Sequence, residues 1–249
     1  MAGVIAMGCL MAGRTAWAQN FSENFNNVGG LGASGWYSFN LSTSAGTINY
    51  FQGNTGFFNA QAGPNNSYIA ANYQGSTGTT GNETQSQWLL TPQLNLHNGD
   101  TFTFWTRTDN PVNYPDRLEI RLSTNGASTN VGNGPLTVGD FGSLLLSINP
   151  TLTTTGYPTS WTQFTVTVSG LAANMTGRFA FRYFVTNGGP VGRNAFYIGI
   201  DTVNYSDTVV PEPATWFMAA GALSALGFFG WRRLQQPAMA LARVRETRA

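Results

Sequence analysis

Four stretches of this chain alternate apolar and polar residues with a period of two. That period fits the pleated strand, whose successive side chains point to opposite faces. In residues 117–123, Leu118, Ile120 and Leu122 share one face. Phe164, Val166 and Val168 alternate with Thr165 and Thr167, and Phe179, Phe181, Tyr183 and Val185 alternate with Arg178, Ala180 and Arg182. Residues 101–107 set Phe102 and Phe104 against Trp105, residues 197–205 read as a closing strand, and Asn98-Gly99-Asp100 reads as a turn. Stretches 75–82 and 124–134 are loops by composition, and no segment before Ala214 carries a helical period. Strands this numerous, separated by turn signals, predict an all-β, two-sheet sandwich.

The composition agrees. Only 9% of the 249 residues are charged, 30 are glycine and no lysine occurs. Thr, Val, Tyr, Phe and Trp suit a half-buried sheet surface, whereas Gly, Asn and Pro suit turns. Between Phe21 and Asp207 there are six arginines against nine acids, so a nucleic-acid-binding footprint is absent. The single cysteine, Cys9, lies in an apolar N-terminal stretch, which leaves the sandwich without a disulfide or a thiol nucleophile.

Both ends read as targeting signals. Residues 2–12 are small or apolar, and Ala16-Trp17-Ala18 supplies the small-x-small pattern that signal peptidase reads, placing cleavage after Ala18 although no basic residue precedes the apolar run. Residues 214–231 are uncharged. As a helix they would extend about 27 Å, close to the hydrocarbon thickness of about 30 Å. Arg232 and Arg233 follow at once, with Arg243, Arg245 and Arg248 beyond, so the basic tail is expected in the cytoplasm and the sandwich outside. The domain reading is therefore a signal peptide at 1–18, a sandwich at 19–207, a linker at 208–213, a transmembrane helix at 214–231 and a basic tail at 232–249.

Val210-Pro211-Glu212-Pro213, the apolar segment and the Arg232-Arg233 pair together resemble the PEP-CTERM sorting signal of Gram-negative bacteria. The resemblance implies recognition by an exosortase, a membrane cysteine protease that removes the helix. It also implies an inner-membrane precursor with a periplasmic domain, and a mature form at the cell surface or in the extracellular matrix. The landmarks Gly35-Trp36, Trp88-Leu89-Leu90-Thr91-Pro92, Asp116-Arg117-Leu118, Tyr157-Pro158 with Trp161, and Ile198-Gly199-Ile200-Asp201 resemble the choice-of-anchor J domain, related to cleaved-adhesin and MAM-like jelly rolls. That resemblance covers nearly all of residues 21–207. A jelly roll of this type can hold a structural Ca²⁺ where its first and last strands meet, which makes Glu23 and Asp201 the candidate ligands. In the alternative, Glu23 is an exposed strand-start residue and Asp201 a carboxylate bonded to backbone amides.

The chemistry of hydrolysis is thinly represented. His97 is the only histidine and reads as a solvated turn residue. Asp109 and Asp116 bracket a proline-rich loop and read as loop acids rather than an acid/base pair. Arg117, Glu119 and Arg121 read as a solvated ion-pair row of little energetic weight. Trp36, Tyr37, Tyr114 and Tyr157 lie near loops, where aromatic faces stack on the C–H faces of sugars, although the core claims many such rings, Trp36 among them. The expectation is a non-enzymatic surface or matrix protein, which the resemblance to the sorting-signal family associates with exopolysaccharide in a biofilm, or alternatively a carbohydrate-binding or adhesive module.

Overall fold

A computed structural model describes residues 20–208. The signal-peptide site at Ala18, the Val210–Pro213 motif, the apolar segment and the arginine tail lie outside the described residues. Among the described residues no helix is long and apolar enough to cross a membrane.

Twelve strands form the domain: β1 Phe21–Glu23, β2 Tyr37–Asn40, β3 Phe51–Gln52, β4 Ile69–Asn72, β5 Glu83–Leu90, β6 Leu94–Leu96, β7 Thr101–Thr108, β8 Leu118–Ser123, β9 Ser143–Ile148, β10 Thr162–Thr167, β11 Met175–Gly188 and β12 Tyr197–Ser206. The only helical segments described are 3-10 turns at Val28–Ser34 and Tyr73–Gly75. One sheet runs β10-β7-β12-β4-β3, with β1 also on β12. The other runs β2-β5-β11-β8-β9, with β6 on β11. The pairs are antiparallel, so the described residues form an all-β two-sheet antiparallel sandwich.

The alternating residues meet where their period requires. Phe102 and Phe104 of β7 point between the sheets at Phe179 and Phe181 of β11. The Phe102 and Phe179 rings stack at 4.3 Å and Phe104 meets Phe181 edge-on at 5.1 Å. Leu118, Ile120, Val185, Ile198 and Val203 complete this core, each fully buried. Burying a side chain of this size contributes about 1.5–3 kcal/mol, so the paired alternations decide the fold.

The outer faces depart from the simple inside/outside rule. On the second sheet, residues 124–142 return over β5, β11 and β8, where Val131 and Phe141 pack on Trp88, Leu90 and Ala180. The expected solvated row is thereby corrected. Glu119 is 5% and Arg182 1% exposed, and Glu119 Oε2 lies between Arg121 Nε at 2.8 Å and Arg182 Nη1 at 3.3 Å. Arg117 instead lies over the Phe184 ring and donates to its carbonyl. On the first sheet, Phe58, Tyr68 and Tyr197 cluster with Trp161 over one half of the outer face. Gly199 makes room for this roof, since a Cβ there would sit 2.7 Å from the Phe58 ring.

Candidate functional site

Glu23 and Asp201 lie on paired strands, with Glu23 opposite Val203, two residues along from Asp201. Glu23 Oε1 accepts from the Phe25 amide at 2.7 Å. Asp201 is buried. Its Oδ2 accepts from the Gln61 and Ala62 amides at 2.8 and 3.2 Å, and its Oδ1 from Thr202 N at 2.6 Å. Burial pushes the Asp201 carboxyl up to about 6, against the pull of those amides. Phe25 and Thr202 hold φ of 50° and 48°. Left-handed backbone at two non-glycine residues, one of them β-branched, is strained, and such strain gathers at ligand sites and switch points. Gln52 ties the same knot by donating to the Phe25 and Asn66 carbonyls. Oxygen donors thus converge where the first and last strands meet, but the Asp201 carboxylate is engaged by amides.

A second group escaped the sequence reading. His97 is not a free turn residue, because its Nδ1 lies 2.8 Å from Asp207 Oδ1 and 3.5 Å from Asp100 Oδ2. Asp100 is fully buried and takes four donors. Oδ2 accepts from the His97 amide and the Tyr205 hydroxyl, and Oδ1 from the amide and hydroxyl of Thr208. Burial raises the cost of that charge, yet the Tyr205 hydroxyl and these amides outweigh it and hold Asp100 below the usual carboxylate range. The His/Asp/Asp group could hold a metal ion. It also fastens the last described residues, Asp207 and Thr208, to the turn before β7. His97-x-x-Asp100 was its local trace in the sequence; Asp207 enters only through the fold.

Asp116 is likewise no ordinary loop acid. It accepts from Thr108 Oγ1, Tyr183 Oη and the Phe196 amide at 2.6, 2.5 and 2.8 Å, and burial raises its pKa. With those donors in place it anchors the 109–116 loop to β7, to β11 and to the residue just before β12.

The four aromatic candidates separate. Trp36 is 3% exposed and packs edge-on against Phe21 and Phe25. Tyr37 is 45% exposed, with the Arg178 guanidinium 5.0 Å from its ring centre. Both line an open 370 Å³ cavity with Val28, Leu31 and Tyr50. Tyr114, 44% exposed, stacks on Phe196 beside a smaller cavity floored by Gly189 and Ala195. Tyr157 corrects the expectation of a surface ring. It is 2% exposed and its hydroxyl pairs with Thr106 Oγ1 at 2.7 Å, because the 150–160 loop turns it inward.

Comparison with known proteins adds two findings. The model of the PEP-CTERM protein-sorting motif matches residues 209–233. Among solved structures, the K1 cleaved adhesin domain of Lys-gingipain from Porphyromonas gingivalis W83 aligns with a TM-score of 0.51 at 21% identity, covering 76% of this chain and 99% of that one. The K2 cleaved adhesin domain of Lys-gingipain aligns at 0.50 and 16% identity, covering 75% and 99%. A search of curated proteins finds no match. The chain carries a PEP-CTERM sorting motif, the mark of an exported protein sorted to the cell surface, at residues 209–233, and its described residues form a cleaved-adhesin-like β-sandwich.

Proposed function

We propose that this is an exported, non-enzymatic matrix protein whose jelly-roll-like sandwich, of the choice-of-anchor J type, associates with exopolysaccharide in a biofilm. In this reading signal peptidase cuts after Ala18. Residues 214–231 then hold the precursor in the inner membrane with the sandwich in the periplasm. An exosortase-type protease recognises Val210, Pro211, Glu212 and Pro213 together with Arg232 and Arg233, and releases the domain to the surface or matrix. The observation that carries the proposal is the sorting-motif match at 209–233, which begins just after β12 ends at Ser206. Intact mass of the protein from extracellular and membrane fractions tests it. A species ending near Pro213 outside the cell is expected, and a full C-terminus confined to the inner membrane overturns release.

A second reading, a glycan-binding adhesive module, is favoured by Tyr37 and Tyr114, both well exposed beside cavities. Retention on the host's own polysaccharide, lost in Tyr37→Ala or Tyr114→Ala, distinguishes it. A structural Ca²⁺ at Glu23 and Asp201 belongs to the same proposal, supported by the strained, oxygen-rich junction of the first and last strands. Calcium would have to take Asp201 oxygens now bonded to amides, so a melting temperature indifferent to both chelator and added calcium removes it.

A further inference from the structure

Among the described residues, none roofs half of the first sheet's outer face. Because Phe102, Phe104, Val166, Val203 and Tyr205 point into the core, the residues between them point outward. The strand registers then set these side chains in rows. Thr165 of β10 lies opposite Thr103 of β7, Thr103 opposite Asn204 of β12, and Asn204 opposite Ser22 of β1. Thr167, Thr101 and Ser206 form a second row, and Gln163 beside Trp105 a third. Residues in a row are about 4.8 Å apart across the strands, and rows follow about 6.7 Å apart along them. Every member is half-buried or exposed.

The rows expose no ionisable side chain: Asp201, opposite Trp105 in the register, is buried with its carboxylate on the Gln61 and Ala62 amides. Arg107, two residues beyond Trp105 on β7, marks their limit, and its guanidinium is turned to the Phe58 ring and the Thr159 carbonyl. Glu23 points away, to the Phe25 amide. An acidic polymer, a nucleic acid or an anionic membrane would need cations here. A protein partner would need an apolar or aromatic centre, and the face offers one large ring among hydroxyls and amides. Threonine hydroxyls both donate and accept, as sugar hydroxyls do, and a β-branched side chain on a sheet has little rotamer freedom to lose. Trp105 supplies a surface for the C–H face of a sugar ring.

We infer that the Thr101/Thr103/Thr165/Thr167 face with Trp105 is a docking surface for a neutral, hydroxyl-rich polysaccharide strand. The inference rests on the exopolysaccharide association proposed above and gives it a site and a charge class. The test is depletion of the purified full-length chain in detergent by amorphous cellulose and curdlan, with alginate as the acidic polymer and the host's own exopolysaccharide alongside. Retention on a neutral polymer that resists added salt is expected. Trp105→Ala should bind about tenfold more weakly, and Thr165→Glu at least as weakly, with the exposed Leu136→Ala on the other sheet's loop unchanged. Thr165 is exposed, so its variant keeps the fold, which thermal melting checks.

Failure of the wild type to bind either neutral polymer, preference for alginate that salt removes, or equal binding by the face variants overturns the site. Retention of wild type and both variants alike on the host polymer overturns the site and leaves the exopolysaccharide association standing. Absence of retention on every polymer overturns both.

Discussion

The two outer faces of the sandwich carry similar sequence and end in opposite states. On the second sheet the polar partners of the alternating strand residues, Glu119 and Arg182, are sealed under residues 124–142. On the first, the polar partners Thr103, Thr165 and Thr167 stay in contact with solvent. The returning loop makes the difference. It brings Val131 and Phe141 to pack on Trp88, and backbone carbonyls of Pro135 and Thr137 for Arg182 and of Phe141 for Arg121. An ion pair under such a roof is costly to leave half-made, whereas a threonine facing water can be exchanged with little consequence.

The largest expected effect follows from the roofed side. Arg182→Ala removes the Nη1 contact to Glu119, both loop-carbonyl bonds and the guanidinium stacked on Trp88 and Phe184. Breaking a buried pair of this kind costs about 3–5 kcal/mol, to be read from urea unfolding. A loss below about 1 kcal/mol would put the pair in the energetic class of solvated surface pairs and break the comparison.

Period-two alternation made the core strands legible, since burying Phe102, Phe104, Leu118, Ile120, Phe179 and Phe181 requires only that each strand know its own inner face. It was silent about the outer face. Whether Glu119 meets water depends on where Val131 and Phe141, well along the following loop, come down, and no local pattern encodes that. The same limit hid Asp207 from His97 and Asp100. The sequence marked a turn, but the third member comes from the far end of β12. Tyr37, Tyr114 and Tyr157 were alike as loop aromatics, and only the path of each loop separates the exposed rings from the buried one.

Smaller than the Arg182 effect is the pH dependence at the strand junction. Burial raises the folded-state pKa of Asp201 to about 6 from 3.8. The folded state therefore holds this proton when the unfolded chain has released it. Its contribution is fully present below about pH 4 and is lost as pH rises to about 6, a fall of about 2–3 kcal/mol. Asp201→Asn should flatten that fall. Calcium bound there would favour the ionised carboxylate and flatten it too, so a fall unchanged by added calcium counts against the metal.

Asp100 should behave with the opposite sign. Its carboxyl is held below the usual range by the Tyr205 hydroxyl and by amides, so its contribution is present above the unfolded pKa and lost as pH falls through the folded one. Asp100→Asn should cost about 1.5–3 kcal/mol near neutral pH, as hydrogen bonds to a charged group do, and less in acid, where the wild type loses the charge as well. An equal cost at both pH values would assign the latch to shape rather than charge.

The smallest effect is the sharpest test of the bare face. Thr165→Glu places a charge in the middle of the hydroxyl rows, on the outermost strand and opposite Thr103. If this half of the sheet faces water, the charge stays solvated and stability changes by less than about 0.5 kcal/mol. If something covers the face, the same carboxylate must be desolvated without a partner, and the melting temperature drops as it would for a buried acid. Glu119 shows how a carboxylate on an outer face is held once a roof closes over it, in its case by two guanidinium groups within 3.3 Å. The threonine rows offer none, so a stable Thr165→Glu variant is the outcome that keeps the two faces distinct.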